Sequence, residues 1–205
     1  MREKILIHAA EMFLTYGFKS VTMDDIAGNL GISKKTIYQH FDNKTKLVEA
    51  TTLYMFETIS YGIDCICELQ KNPIEELYDI KNFVMKHLKN EKSSPQYQLQ
   101  KYYPKIFTTL KSKQFDVMQS CVTSNLERGV EEELYRDNIN IDFIARLYFN
   151  GMVSLKDQDL FPLTHFSMNM LLENYLEYHL RGICTEKGLK FLNKIINQNS
   201  NQHSD

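Results

Sequence analysis

The sequence predicts an all-α fold, and three observations carry that expectation. Apolar residues recur at helical spacing through most of the 205-residue chain, as in Ile74, Leu77, Ile80, Val84 and Leu88. No stretch alternates apolar and polar residues with the period of a half-buried strand. Glycine and proline punctuate the chain at helix-length intervals: Gly17, Gly31, Pro73, Pro104 and Pro162.

The first helix spans about Arg2 to Tyr16, with Ile5, Ala9, Met12, Phe13 and Tyr16 on its packing face. Gly17 is expected to end it in the left-handed conformation, with Phe18 folding back toward Phe13. Thr22 is a good N-cap for a second helix, because its hydroxyl can accept a bond from a free N–H of the first turn. Asp25, three residues on, completes a capping box, and Val21 with Ile26 forms a hydrophobic staple. Gly31 supplies the positive φ that ends this short helix. Ser33 then caps a third helix, with Ile32 and Ile37 as its staple.

The third helix is small and basic. Its outward face carries Lys34, Lys35, Thr36, Gln39 and His40, with Tyr38 at the edge. Cations for phosphates, together with amide, hydroxyl and ammonium groups for base edges, are what a major-groove reader needs.

After a turn at Asp42 and Asn43, a long helix runs from about Lys44 to Gln70. Its free N–H groups make an anion site. Lys44 and Lys46 stand in its first turn, where the helix dipole disfavours cations, and a nearby phosphate would account for them. Residues 74–89 form the next helix, and 90–96 a polar loop. Pro104 ends a short helix near Tyr102 or kinks a longer one. The helix after it continues to about Glu127, and Gly129 is a candidate interruption. Two further helices span about 141–156 and 164–181, separated by the break at Pro162. A short helix and a frayed tail close the chain.

The helices over 141–156 and 164–181 carry more apolar surface than one core-facing stripe requires. Phe143, Leu147 and Met152 on the first, and Phe166, Met170 and Tyr175 on the second, read as a homodimer interface of four helices about a two-fold axis. The competing reading places both helices at the centre of a monomer core.

Composition is that of a soluble globular protein, with 43% hydrophobic and 24% charged residues. Residues 1–47 carry seven Lys/Arg against five Asp/Glu, and the remainder 17 against 21. A basic head on an acidic body suits a head that meets nucleic acid. No run approaches the ~18 apolar residues of a membrane span, and the N-terminus reads as an amphipathic helix without a cleavage site. The four cysteines lack metal-site spacing and read as small thiols in a reducing cytoplasm. His8, His40, His87, His165, His179 and His203 are scattered. There is no nucleophile elbow, glycine-rich phosphate loop or zinc-protease motif. The expectation is no enzyme, no metal and no cofactor.

The run AAEMFLTYGFKSVTMDDIAGNLGISKKTIYQHFDNKTKL resembles the N-terminal domain of the tetracycline-repressor (TetR) family of transcriptional regulators. F-L-x-Y-G-F, V-T-x-x-D-I-A, G-I-S-K-x-T-I-Y-x-x-F and x-N-K-x-x-L follow one another at fixed spacing. The resemblance covers about the first quarter of the chain. It implies a helix-turn-helix DNA-binding domain at 1–47, a larger helical ligand-binding and dimerisation domain at 48–198, and a tail at 199–205. It implies double-stranded DNA as partner and phosphate contacts by Thr22, Tyr38 and Lys44. Ser33, Lys34 and His40 are further candidates, and Lys35, Thr36 and Gln39 the candidate base readers. It also gives the last two body helices to the dimer interface, and implies an effector pocket. Cys65, Phe83, His87, Tyr103, Phe107, Met118, Asn125 and Asn150 are the candidate lining, and the small-molecule effector stays unnamed. Lys35 departs from the family, where a small residue is common. The rival expectation is a helical ligand- or partner-binding protein with no DNA role.

Overall fold

The helices start and stop where local chemistry satisfies or breaks the backbone ladder. A computed structural model describes residues 1–88, 95–157, 159–162 and 164–202. They form α1 (Arg2–Tyr16), α2 (Met23–Leu30), α3 (Lys34–Tyr38), α4 (Lys44–Glu68) and α5 (Pro73–Leu88). There follow α6 (Pro95–Tyr102), α7 (Pro104–Glu131), α8 (Ile141–Ser154), α9 (Met168–Ile183) and α10 (Glu186–Gln202). Among the described residues there is no strand, and Tyr135 pairs with Cys184 as an isolated antiparallel bridge. The fold is all-α. Among the described residues no helix is long and apolar enough to cross a membrane.

The chain divides into two compact units. The first comprises Met1–Tyr61 and Val84–Gln114. Its core joins the stripes of α1, α2 and α3: Ile5, Ala9, Phe13, Phe18, Ile26 and Ile37 are buried with Phe41, Leu47 and Val48. Leu99, Ile106 and Leu110, from α6 and α7, complete it. Each buried Ile, Leu, Phe or Val side chain contributes roughly 1.5–3 kcal/mol on burial.

The second unit comprises Gly62–Phe83 and Phe115–Asp205. Ile74, Leu77, Leu126, Leu176, Leu180 and Leu192 form its apolar centre. A polar network lies within it. The Glu76 carboxylate, 1% exposed, accepts from Asn125 Nδ2 at 2.8 Å and from an Arg128 guanidinium N–H at 2.5 Å. Tyr135 donates to Asn125 Oδ1 at 3.1 Å. Buried charge is tolerated because it is paired and hydrogen-bonded.

Several boundaries differ from the sequence reading. Gly17 has φ 85° and ψ 155°, so it is not left-handed helical but in a region essentially reserved for glycine. Its missing side chain leaves room for the Gln98 side chain. Phe18 does fold back, its ring centroid 4.8 Å from that of Phe13. Gly129 does not interrupt α7; the Tyr135 ring occupies the space where a Cβ would stand. α9 starts at Met168 rather than Thr164, because Ser167 Oγ accepts from Met170 N at 3.3 Å. α10 continues to Gln202, into the stretch expected as a frayed tail. Of the polar loop expected at 90–96, Pro95 and Gln96 open α6, and residues 90–94 lie outside the described residues.

Candidate nucleic-acid interface

The α2–α3 pair is built by its caps. Thr22 Oγ1 accepts from Asp25 N at 3.1 Å, and Asp25 Oδ2 accepts from Thr22 N at 2.8 Å, closing the capping box. The Thr22 hydroxyl also donates to Asp25 Oδ2 at 2.7 Å. These bonds hold the Asp25 carboxyl below its ordinary range. Gly31, with φ 64° and ψ 33°, is left-handed as expected and turns the chain. Ser33 Oγ accepts from Thr36 N at 3.1 Å and opens α3. Ile37 is fully buried and fixes the rotation of α3 about its axis. Lys34, Lys35, Tyr38, Gln39 and His40 consequently face solvent, and Thr36 is half-buried.

The cations of this surface are not equivalent. Lys34 Nζ pairs with Asp24 on α2 at 2.7 Å, and that bond raises the Lys34 pKa. Lys35 is exposed and has no partner among the described residues. Lys44 Nζ donates to the Lys19 carbonyl at 3.2 Å, and partial burial lowers its pKa. Lys46 pairs with Glu49 at 2.8 Å. Both lysines in the first turn of α4 thus have partners inside the protein, a separate account of their placement from a phosphate. Asn43 Oδ1 accepts from Lys46 N at 2.9 Å and serves as a cap there. Tyr38 is 44% exposed, and His40 sets its ring edge-on to Phe41. Thr22 gives its hydroxyl hydrogen to Asp25, so donation to a phosphate requires that bond to turn away.

The residues considered as effector contacts divide between the units. His87, Tyr103 and Phe107 belong to the first, where Tyr103 and Phe107 pack on its core. Cys65, Phe83, Met118, Asn125 and Asn150 belong to the second. Cys65 and Asn150 are exposed, and Asn125 is bound into the Glu76 network. Phe83 packs over Gly62, where a Cβ would stand. The described grooves at α1–α4, at α7–α10 and along α7 are lined by other residues.

On α8 and α9, Phe143, Leu147 and Met170 are exposed by 59%, 49% and 38%, far more than a monomer core allows. Met152 and Phe166 are half-buried. Tyr175 donates to the carbonyls of Leu147 and Tyr148, holding α9 against α8. Tyr178, also on α9, is 77% exposed and was not foreseen. Sequence reasoning also missed Asp24 as the partner of Lys34, and Gln98; pairs 10 and 79 residues apart leave no local pattern.

A capped helix, a glycine turn and a short exposed basic helix on a buried apolar stripe define a helix-turn-helix protein. Residues 5–51 match the family model for bacterial regulatory proteins of the tetR family. This match assigns the N-terminal domain, about a quarter of the chain, to the TetR family of transcriptional regulators, and supports a DNA-binding regulator. The chain is 24% identical over 189 residues to the HTH-type transcriptional regulator YvaF of Bacillus subtilis, covering 91% of this chain and 97% of that one. A shorter match, 33% identical over 60 residues, links it to IcaR, the HTH-type negative transcriptional regulator of the biofilm operon icaADBC in Staphylococcus aureus. That match covers 29% of this chain and 32% of IcaR. In fold it resembles a TetR-family regulator from Agrobacterium tumefaciens, with a TM-score of 0.72 at 16% identity, covering 90% of this chain and 97% of that one.

Proposed function

We propose that the chain is a cytoplasmic repressor that binds a pseudo-palindromic operator as a homodimer and releases it when a small molecule enters its C-terminal helical domain, residues 48–198. The observation that carries this reading is the solvent-facing polar surface of α3, locked in rotation by buried Ile37. Two such helices, one per subunit, enter major-groove faces about one helical turn apart. Lys35, Thr36 and Gln39 read base edges. Ser33, Lys34, Tyr38, His40, Thr22 and Lys44 hold phosphates and set the register.

The exposed apolar residues Phe143, Leu147 and Met170 support a subunit interface on α8 and α9, with Met152, Phe166 and Tyr175 behind them. Repression is the sign carried by IcaR, whose match spans 60 residues of this chain. An effector acts by favouring a conformation whose paired α3 helices no longer fit the duplex. The test is a gel shift with the DNA upstream of the chain's own gene, at low and moderate salt. A sequence-selective complex that survives moderate salt is expected; binding that matches bulk DNA and vanishes with salt contradicts the reading.

A further inference from the structure

Two thiols meet inside the second unit. Cys67, in the last turn of α4, and Cys121, in the middle of α7, bring their Sγ atoms to 3.0 Å. The contact is held by its surroundings. Cys121, Asn125 and Arg128 follow one another along one face of α7. Asn125 Nδ2 donates to the Pro73 carbonyl at 2.9 Å, and Arg128 donates to the Lys71 carbonyl at 2.9 Å. Lys71 lies in the short segment that follows α4 and Pro73 opens α5, and Glu76 in the first turn of α5 is bound to the same Asn125 and Arg128. The backbone beside Cys67 is therefore tied to the helix that carries Cys121.

We propose that Cys67 and Cys121 are an oxidation site, which a hydroperoxide closes into an intramolecular disulfide. The sulfurs need to approach by about 1 Å to reach the bonded distance of about 2.0 Å, a movement within reach of side-chain rotation. In the first step the Cys67 thiolate attacks an oxygen of the hydroperoxide. The O–O bond breaks, Cys67 becomes a sulfenic acid, and the departing oxygen takes up the proton that Cys67 gave up, leaving as an alcohol, or as water when the oxidant is hydrogen peroxide. In the second step the Cys121 sulfur attacks the Cys67 sulfur. The S–S bond forms, the S–O bond breaks, and hydroxide leaves with the Cys121 proton as water. Two thiols are oxidised by two electrons and one peroxide is reduced.

The order of attack follows from the environment. Cys67 accepts the S–H of Cys121, which favours its thiolate, and the Arg128 charge acts in the same direction; burial, Glu76 and Asp64 oppose. Cys121 is held protonated by that same bond to Cys67 and by burial. Cys67 is thus the attacking thiol and Cys121 the resolving one. Exposed Cys65 and buried Cys184 have no such partner thiol among the described residues.

The proposal rests on this unit alone and stands or falls separately from the DNA reading. The experiment treats the full chain with hydrogen peroxide below stoichiometry and maps its peptides without reduction. The expected product is one cross-link joining the Cys67 and Cys121 peptides, two hydrogens lighter, and reversed by dithiothreitol. Cys65→Ser and Cys184→Ser keep it. Cys121→Ser, checked for folding by circular dichroism, accumulates a Cys67 sulfenic acid that dimedone traps. Oxidation that spares Cys67 and Cys121, or links Cys65 instead, overturns the proposal on the wild-type chain even if a variant fails to fold.

Discussion

The side-chain oxygen of Gln98 accepts a hydrogen bond from the backbone N–H of Lys19 at 3.1 Å. The same side chain fills the space above Gly17, and Lys19 in turn lies over the Tyr102 ring. The turn that leads from α1 into the capped α2 is thereby held by α6, within one compact unit. Gly17→Ala combines a disfavoured φ with a clash against Gln98, so it should destabilise the protein by about 1–3 kcal/mol. Gln98→Ala should cost about 1 kcal/mol. The double variant should recover part of the Gly17→Ala loss, because the clash is gone. Denaturant unfolding of all four proteins measures the coupling, and strict additivity would remove the proposed contact.

The capping box makes a pH prediction. Asp25 has a native pKa below its ordinary 3.8, first because Thr22 donates a side-chain bond to the carboxylate. Its contribution is fully present above that value and fades as pH falls through the lowered native one. The stability difference between wild type and Asp25→Asn should therefore shrink on acidification below pH 4 or so. Thr22→Ala should cost about 1 kcal/mol at neutral pH, and Thr22→Ser much less. A difference that stays constant with pH would contradict the assignment of the bond to the ionised form.

His179 gives a second pH signature, of different origin. It is 8% exposed, it packs on Tyr148 with ring centroids 4.6 Å apart, and burial lowers its pKa from 6.5 to about 4. The unfolded chain binds a proton first, so stability falls as pH drops through 6.5 and levels off below about 4. The loss is on the order of 3 kcal/mol. His179→Leu should flatten the stability profile in that window. A profile with the wild-type slope would assign the effect to other groups.

How much of this was legible beforehand follows from where the information lies. Thr22, Ser33 and Gly31 act within a few residues of themselves, so α2, the turn and α3 could be read directly. Pro73 and Pro104 likewise open helices where proline is tolerated, at the first turn. The contribution of Leu99, Ile106 and Leu110 to the first core could not be read, since their helical spacing fits a core without saying which. The Glu76–Arg128 pair was invisible for the same reason: the residues are 52 apart, and each alone looks like a solvated charge. At Gly17 the need for glycine was legible, but the ψ value depends on where the distant Gln98 sits.

That buried pair predicts an asymmetry. Glu76→Ala leaves the Arg128 guanidinium, only 17% exposed, without its carboxylate. The expected cost is about 3–5 kcal/mol, seen as a lowered unfolding midpoint. Replacing both partners with apolar residues of similar volume should cost clearly less than Glu76→Ala alone. Equal losses would mean that the pair acts only through packing.

At the proposed DNA surface, Lys35 and Lys44 should behave differently. Lys35 is exposed and without a partner among the described residues, so Lys35→Ala should cost ~1–3 kcal/mol and relax preference at one operator position. Lys44→Ala should lower the salt dependence of binding by about one unit per half-site. Fluorescence anisotropy across salt concentrations and operator variants separates them. Uniform weakening by Lys35→Ala would make it a phosphate contact, and an unchanged slope would leave Lys44 as a brace for the Lys19 carbonyl.

The central claim is that α3 helices from two copies of the chain enter one duplex together. Selection of genomic DNA fragments by the purified full-length protein, followed by sequencing, tests it most directly. The expected result is enrichment of a pseudo-palindrome whose half-sites lie about one helical turn apart, lost when Leu147→Asp disrupts the exposed face of α8. Fragments without shared sequence, or a single asymmetric site bound equally well by Leu147→Asp, would contradict it.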